Sequence, residues 1–312
     1  MAIVQQFQQM GYKSEAVELT AETLTAANYD TSWEDSAVTP EDGYNERRFR
    51  RASFAPIQGV GGTALAQISG TFEPRPSGVD GTAPDWYDLL KASGGTVTTD
   101  VCTWGAEQTS GGVIGTACTF KHRDGAYERV ASGARVGLRF FAEKGATWMC
   151  DVTGAGRYSQ SAQTAYVAGV YPSSGQGQAF LGNAVTIGAF AGSVASVEIA
   201  IENVITSIED GTHASGFGAN IITEQKLMFR VTVLEDSSVD WRDLYRNDAS
   251  SDVVAVSVAM SAGTSGNVLT WTGSINLVEQ PAVEYREGIG YRTIVGEFVS
   301  LDDAAALTLT QS

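Results

Sequence analysis

The sequence predicts a mainly β protein of two tandem β-sandwich or half-barrel modules, each carrying one short helix. Three observations lead there. Apolar and polar residues alternate with period two over many short stretches, the mark of half-buried strands. Glycine is abundant and proline scarce, 35 against 7 in 312 residues, as expected of strands joined by tight turns. The segment Asp-Trp-x-Asp-Leu occurs twice, beginning at Asp85 and at Asp240, about half the chain apart.

Along the chain, residues 28–46, NYDTSWEDSAVTPEDGYNE, combine acids and turn formers without periodicity and predict a long exposed loop. Residues 47–51, RRFRR, form the one basic cluster. They suit either the solvent face of a strand with Phe49 turned inward or a docking patch for an acidic neighbour. GVGG at 59–62 reads as a turn, because it lacks the lysine and the strand-to-helix context of a phosphate loop. TALAQISGTF then alternates loosely as a strand, with Leu65, Ile68 and Phe72 inward and a glycine that suggests a bulge.

The first Asp-Trp-x-Asp-Leu copy predicts a helix over 85–93. Asp85 is placed to cap it, and Asp88 lies in the first turn, where negative charge suits the helix dipole. Trp86, Leu89 and Leu90 have the spacing of one apolar face, and Gly94-Gly95 supply the stop. Two hairpins follow, one turning at Arg123-Asp124-Gly125 and one at Glu143-Lys144-Gly145, the second with Val136, Leu138 and Phe140 on one side. Residues 157–179 are uncharged after Arg157 and rich in small residues. They place the boundary between a first module, 1–165, and a second, 166–312.

In the second half, Val197, Ile199 and Ile201 alternate in one strand. Leu227, Phe229, Val231 and Val233 do so in a second, and Val254, Val256, Val258 and Met260 in a third. A fourth carries Leu269, Trp271, Ile275 and Leu277. Between the second and third lies the other helix, 240–248, with Asp240 as cap, Asp243 in the first turn, and Trp241, Leu244 and Tyr245 as its face. Strand, polar loop and short helix therefore recur, and duplication of one β-rich module explains the recurrence most simply.

The formal net charge is −16. Tight binders of nucleic-acid phosphate present basic stripes, so clamping of DNA or RNA is disfavoured. Acidity suits a surface that must not hold a polyanion. The opening MAIVQQFQQMGYKSE has neither the basic start nor the apolar centre of a signal peptide, and no stretch reads as a membrane span. Cys102, Cys118 and Cys150 are odd in number and lack C-x-x-C spacing, which predicts buried free thiols. His122, between Lys121 and Arg123, and His213, in a glycine-rich loop, both read as exposed. No nucleophile, metal or nucleotide motif accompanies them, and no carboxylate pair is marked out, so no catalytic, metal-binding or cofactor-binding residue is assigned.

Several segments together resemble the tail tube proteins of long, non-contractile-tailed bacteriophages, in the form with two tube modules. They are ALAQISGTFEPRP with PDWYDLLKASG, then TFKHRDGAYERVASGARVGLRFFAEKGATWMCDVTGAGRY, then SVEIAIENVI with MFRVTVLEDSSVDWRDLY, and the closing EGIGYRTIVGEFVSLDD. The likeness is one of element order. It implies a non-enzymatic virion protein of the tail, made in the host cytoplasm, whose modules join side by side into rings. Three two-module chains would close a ring, and stacked rings would form the conduit through which DNA is ejected. Implied partners are further copies of the chain, other tail proteins and DNA passing without specific binding; no cofactor or membrane is implied. In that setting Arg47, Arg48, Arg50 and Arg51 would meet Glu34, Asp35, Glu41 and Asp42 of a neighbouring chain or ring. A capsid-decorating or carbohydrate-binding β-sandwich is the alternative, and a glycoside hydrolase a more distant one.

Overall fold

Strands make up most of the protein, as the alternation predicts. The computed structural model describes residues 8–45, 60–105, 114–124, 127–162, 177, 179–190, 192–235, 239–246, 253–260, 266–300 and 304–312. The first half holds β1 (Gln9–Ser14), a 3-10 turn (Ala26–Tyr29), β2 (Trp33–Asn45), β3 (Val60–Phe72), α1 (Tyr87–Ala92), β4 (Thr96–Thr98), β5 (Val101–Trp104), β6 (Cys118–Arg123), β7 (Tyr127–Glu143) and β8 (Met149–Ala162). The second holds β9 (Val185–Ile187), β10 (Val194–Glu209), β11 (Phe217–Leu234), α2 (Trp241–Arg246), β12 (Val254–Ala259), β13 (Leu269–Leu277), β14 (Val283–Arg286), β15 (Ile289–Phe298) and β16 (Leu307–Gln311).

These strands form one open antiparallel sheet whose main path runs β2-β3-β8-β7-β10-β11-β15-β13-β16-β5-β4. The 17-residue strand β7 organises it. β8 pairs along one edge of β7, while the other edge is shared by β6 near its start and β10 near its end. Six strands therefore follow one another as β1-β6-β7-β8-β3-β2, with β1 and β2 at the two margins. Strong sheet twist brings those margins together: the rings of Tyr12 in β1 and Trp33 in β2 meet edge to face, centroids 6.0 Å apart. The expected boundary near residue 165 falls between β8 and β9, and strands from its two sides pair at β7–β10 and at β5–β16.

The core is a chain of aromatic contacts that folds the sheet over on itself. Phe72 in β3 touches Trp86, Trp86 touches Phe140 in β7 at 5.7 Å, and Phe140 touches Trp271 in β13 at 4.9 Å. Trp271 stacks on Trp104 in β5 at 5.6 Å. Strands far apart along the path thus face each other, as in a sandwich, with α1 wedged at the opening. The far part of the β10–β11 hairpin leaves the sheet and straps across β7. Asn203 Nδ2 donates to the Val136 carbonyl at 2.7 Å, Asn220 Nδ2 to the Gly133 carbonyl at 3.0 Å, and Ala64 N to the Ser215 carbonyl at 2.9 Å. This strap is why the middle of β7 is buried on both faces.

Several expectations need correction. Most of the expected loop 28–46 is a strand: Trp33–Asn45 is β2, paired with β3 from Trp33↔Phe72 to Asn45↔Val60, and Glu46 lies outside the described residues. Among its described side chains Trp33, Ser36 and Val38 turn inward, and the register shift at Glu34 breaks the period between them. GVGG is not a turn: its Val60, Gly61 and Gly62 begin β3, and Gly59 lies outside the described residues. The inward side of β3 is Ala66, Ile68 and Phe72, with Leu65 only half-buried. Gly70 is no bulge, since its pairing to Ser36 and Val152 is regular. A Cβ there would stand 2.8 Å from the Trp33 ring, so glycine gives that ring its seat. The turn after Arg123 runs through Asp124, but Gly125 lies outside the described residues, whereas the turn at 143–146 closes as expected, with Ala146 N bonded to the Glu143 carbonyl.

The two helices also differ from their identical signatures. α1 starts at Tyr87 after Trp86, with no side-chain cap. Tight backbone bonds, Tyr87 N to Pro84 O and Leu89 N to Trp86 O, already occupy donors of the first turn, which frees Asp85 for another contact. α2 follows the expectation, because Asp240 Oδ1 accepts from Arg242 N at 3.1 Å, the bond of an N-cap. Trp86, Leu89, Leu90 and Trp241 are buried and Leu244 partly so. Tyr245 is 37% exposed and does not belong to the buried face, since a six-residue helix presents only about one and a half turns and Trp241 dominates its contact. The side chain of Asp243 lies outside the described residues.

Candidate assembly surface

The resemblance places its intermolecular contacts on strand β2 and the segment after it. Among the described residues β2 pairs with β3 alone, so one side of a 13-residue strand has no strand partner, with the Val38 carbonyl bonded by the Arg129 side chain. Such an edge is a template for another strand. Its composition is that of a guarded edge: Pro40 sits opposite Ala66 without needing to donate outward, and register shifts at Glu34 and Gly43 twist it. Glu34, Asp35 and Glu41 are exposed along it. Asp42 belongs to the strand, but its side chain lies outside the described residues, as do Arg47, Arg48, Arg50 and Arg51 altogether. Three of the acids are thus exposed along one strand, Glu41 well apart from Glu34 and Asp35.

Beside the start of β2, sequence reasoning missed an acid pair. Asp30 follows the 3-10 turn and is 8% exposed. Burial, then the charge of Asp85 and a hydrogen bond to it, raise the Asp30 carboxyl from 3.8 to about 7. This is the contact that Asp85 makes in place of capping α1. No sequence signal could have shown it, since the two acids lie more than fifty positions apart. Asp88, one turn on, behaves oppositely. Burial pulls it upward, but bonds from Lys91 Nζ at 2.8 Å and Ser14 N at 3.2 Å outweigh that and hold it below its ordinary value.

The Asp30 shift has a definite sign. Folded protein keeps a proton that the unfolded chain releases near pH 4, so Asp30 favours folding fully below about pH 4 and loses that contribution as pH rises through about 7. Thermal melts of Asp30→Asn across pH 4.5–8 should therefore show the variant gaining on the parent as pH rises. A difference that stays flat with pH would refute the raised Asp30 carboxyl.

The histidines sit differently from each other. His122 is buried, not exposed, at 2% accessibility. Its strand β6 is sandwiched between β1 and β7, so flanking cations in sequence do not mark a solvent face. Burial holds its pKa below the ordinary value, Asp124 opposing and Arg129 assisting. His213 is exposed as expected. Its Nδ1 stands 3.0 Å from Ser215 Oγ, while Asp210 Oδ1 accepts from Thr212 N and Oγ1. A serine–histidine–aspartate relay uses opposite ring nitrogens for hydroxyl and carboxylate. Here one nitrogen takes the serine and the aspartate is committed to its own turn, so the cluster is a local turn motif.

Cys102, Cys118 and Cys150 are free and buried, and burial pushes all three thiols up. Among the described residues no three His, Cys, Asp or Glu side chains gather to hold a metal ion, and no helix is long and apolar enough to cross a membrane. No family model matches the chain, and no curated protein matches its sequence.

Proposed function

We propose that this protein is a structural subunit that oligomerises through its sheet margins into rings, and that stacked rings form the tail tube of a long, non-contractile-tailed phage. The observation that carries this reading is the open sheet ending in the 13-residue edge strand β2, which among the described residues has a strand partner on one side only. Joining such edges between copies removes them, as closure of a barrel does. The ordered likeness to tail tube proteins supplies the identity of the assembly. Three chains at −16 each give a ring of −48, and an acidic channel repels DNA, so a genome slides without sticking. On this reading the protein has no turnover, and its partners are its own copies, neighbouring tail proteins and passing DNA.

Electron microscopy of the purified protein is the direct test. Rings of threefold composition, or tubes built from them, are expected, with sedimentation giving a species of three chains or multiples of three. A monomer at every concentration would sink the proposal and favour a decorating or sugar-binding β-sandwich.

A further inference from the structure

We infer that His122 is an acid-sensitive latch beneath strand β2: while its ring is neutral β2 lies closed over β6, and when the ring gains a proton β2 lifts away. The ring is 2% exposed, and among the described residues neither Nδ1 nor Nε2 has a hydrogen-bond partner. Buried polar groups are ordinarily satisfied. A neutral imidazole bears the lack at modest cost, whereas an imidazolium has two donors and a charge to place. The site is thus built around the neutral ring.

The groups around the ring come from four elements. Met10 lies opposite it in β1 and brings no charge, and the one charge of β1, Lys13, pairs with Glu22. Arg129 lies opposite it in β7, and like charges directly across a strand pair repel. Asp124, just after β6, already holds Arg129 Nη2 at 2.8 Å. Lys121 and Arg123, on either side in β6, alternate to the other face and share Glu128 at 3.7 and 2.8 Å. β2 brings Asp35 and the Ser36 backbone. Burial has the largest influence and holds the ring below its ordinary 6.5, with Arg129 assisting and Asp124, the Ser36 backbone and Asp35 opposing.

Backbone pairing decides which element yields. β1 and β7 are tied to β6 by ladders, whereas β2 pairs with neither β6 nor β7. It rests on them through the inward Ser36 and Val38 and through Arg129 Nη1, which donates to the Val38 carbonyl at 3.4 Å. A charged ring repels Arg129 and competes with it for Asp124, so the proton that charges the site also weakens the side chain holding β2 down. Met10, Asp35 and Ser36 line an open groove of about 400 Å³, which brings water to the residues that cover the ring. The open form takes up the proton near pH 6.5 and the closed form only below that, so opening is favoured increasingly as pH falls below about 6.5. The latch does not depend on the tube reading, but it makes the margin used in that reading sensitive to acid.

The test places a thiol at the closed contact with Val38→Cys; Val38 is 0% exposed and the native thiols are buried. Dithiodipyridine, which reacts with thiols in acid, is applied from about pH 7.5 to 4.5, each rate divided by that of the unfolded chain. The introduced thiol should become about tenfold more reactive across that range, while Cys102, Cys118 and Cys150 stay protected. Adding His122→Gln should abolish the rise. A thiol equally closed throughout, a rise that survives loss of the histidine, or simultaneous release of the native thiols would each overturn the latch. Should the glutamine variant fail to fold, the unaltered chain decides. Mass spectrometry of imidazole Cε1 hydrogen exchange should show His122 titrating below the exposed His213 and over the range in which the introduced thiol opens. Coincident titration of the two rings would overturn the inference.

Discussion

Replacing Trp86 by alanine should destabilise the protein by about 3–5 kcal/mol, the range for a large aromatic lost from a packed core. Trp86 is 3% exposed and touches Phe72, Tyr87 and Phe140 at ring separations of 6.0, 5.2 and 5.7 Å. It joins the β3 face to the β7 face, so the cavity would open at the fold of the sheet, where collapse would have to move strands. Its Nε1 also donates to the Arg75 carbonyl at 2.7 Å. Trp241, at the matching position of the second copy, contacts Phe190 at 5.8 Å, and its Nε1 has no partner. Phenylalanine substitutions separate the two effects. Trp86→Phe should cost more than Trp241→Phe, because only the first strips a hydrogen bond from a carbonyl. Equal losses in denaturant titrations would show that the indole N–H of Trp86 contributes nothing.

The second large effect is expected at Glu15, a carboxylate that is 5% exposed. It accepts from Leu19 N and Gly133 N, each at 2.7 Å, and from the Thr119 hydroxyl at 2.8 Å. Arg135, 1% exposed, lies close enough to feel its charge. Glu15→Ala would leave two buried donors, Thr119 Oγ1 and Gly133 N, and the half-buried Leu19 N without an acceptor, and Arg135 with less negative charge around it. Each orphaned group costs about 1–3 kcal/mol, and removal of one partner from a buried charge network costs about 3–5 kcal/mol. Glu15→Gln keeps one acceptor oxygen and the shape, so it should recover part of the loss. Urea unfolding of the three proteins checks the order; an alanine variant as stable as the parent would mean water replaces the carboxylate without penalty.

How much of this was legible beforehand depended on whether a contact was local. Period-two alternation placed β10–β13 and their inward residues correctly, because a strand buried on one face writes its pattern into consecutive positions. The same rule failed on β2, an edge strand whose inward residues Trp33, Ser36 and Val38 are thrown out of phase by a register shift, and where acids and a proline guard the margin. His122 failed for the opposite reason. Its charged neighbours advertise a surface, yet strands on either side of β6 and the overlying β2 enclose it.

The sequence by itself determined that this is a mainly β, acidic protein with two short helices each burying a tryptophan, because those properties follow from composition, local periodicity and spacing within one helical turn. Only the tertiary structure decided that the identical Asp85 and Asp240 do different things. Asp240 caps its helix within its own turn. Asp85, itself exposed, meets the buried Asp30 more than fifty residues away. The candidate assembly surface divides the same way. Its acids are visible as residues, but the seam beside them exists only where β1 and β2, separated along the chain by a turn and joined to different partners, are carried face to face by the twist of six strands.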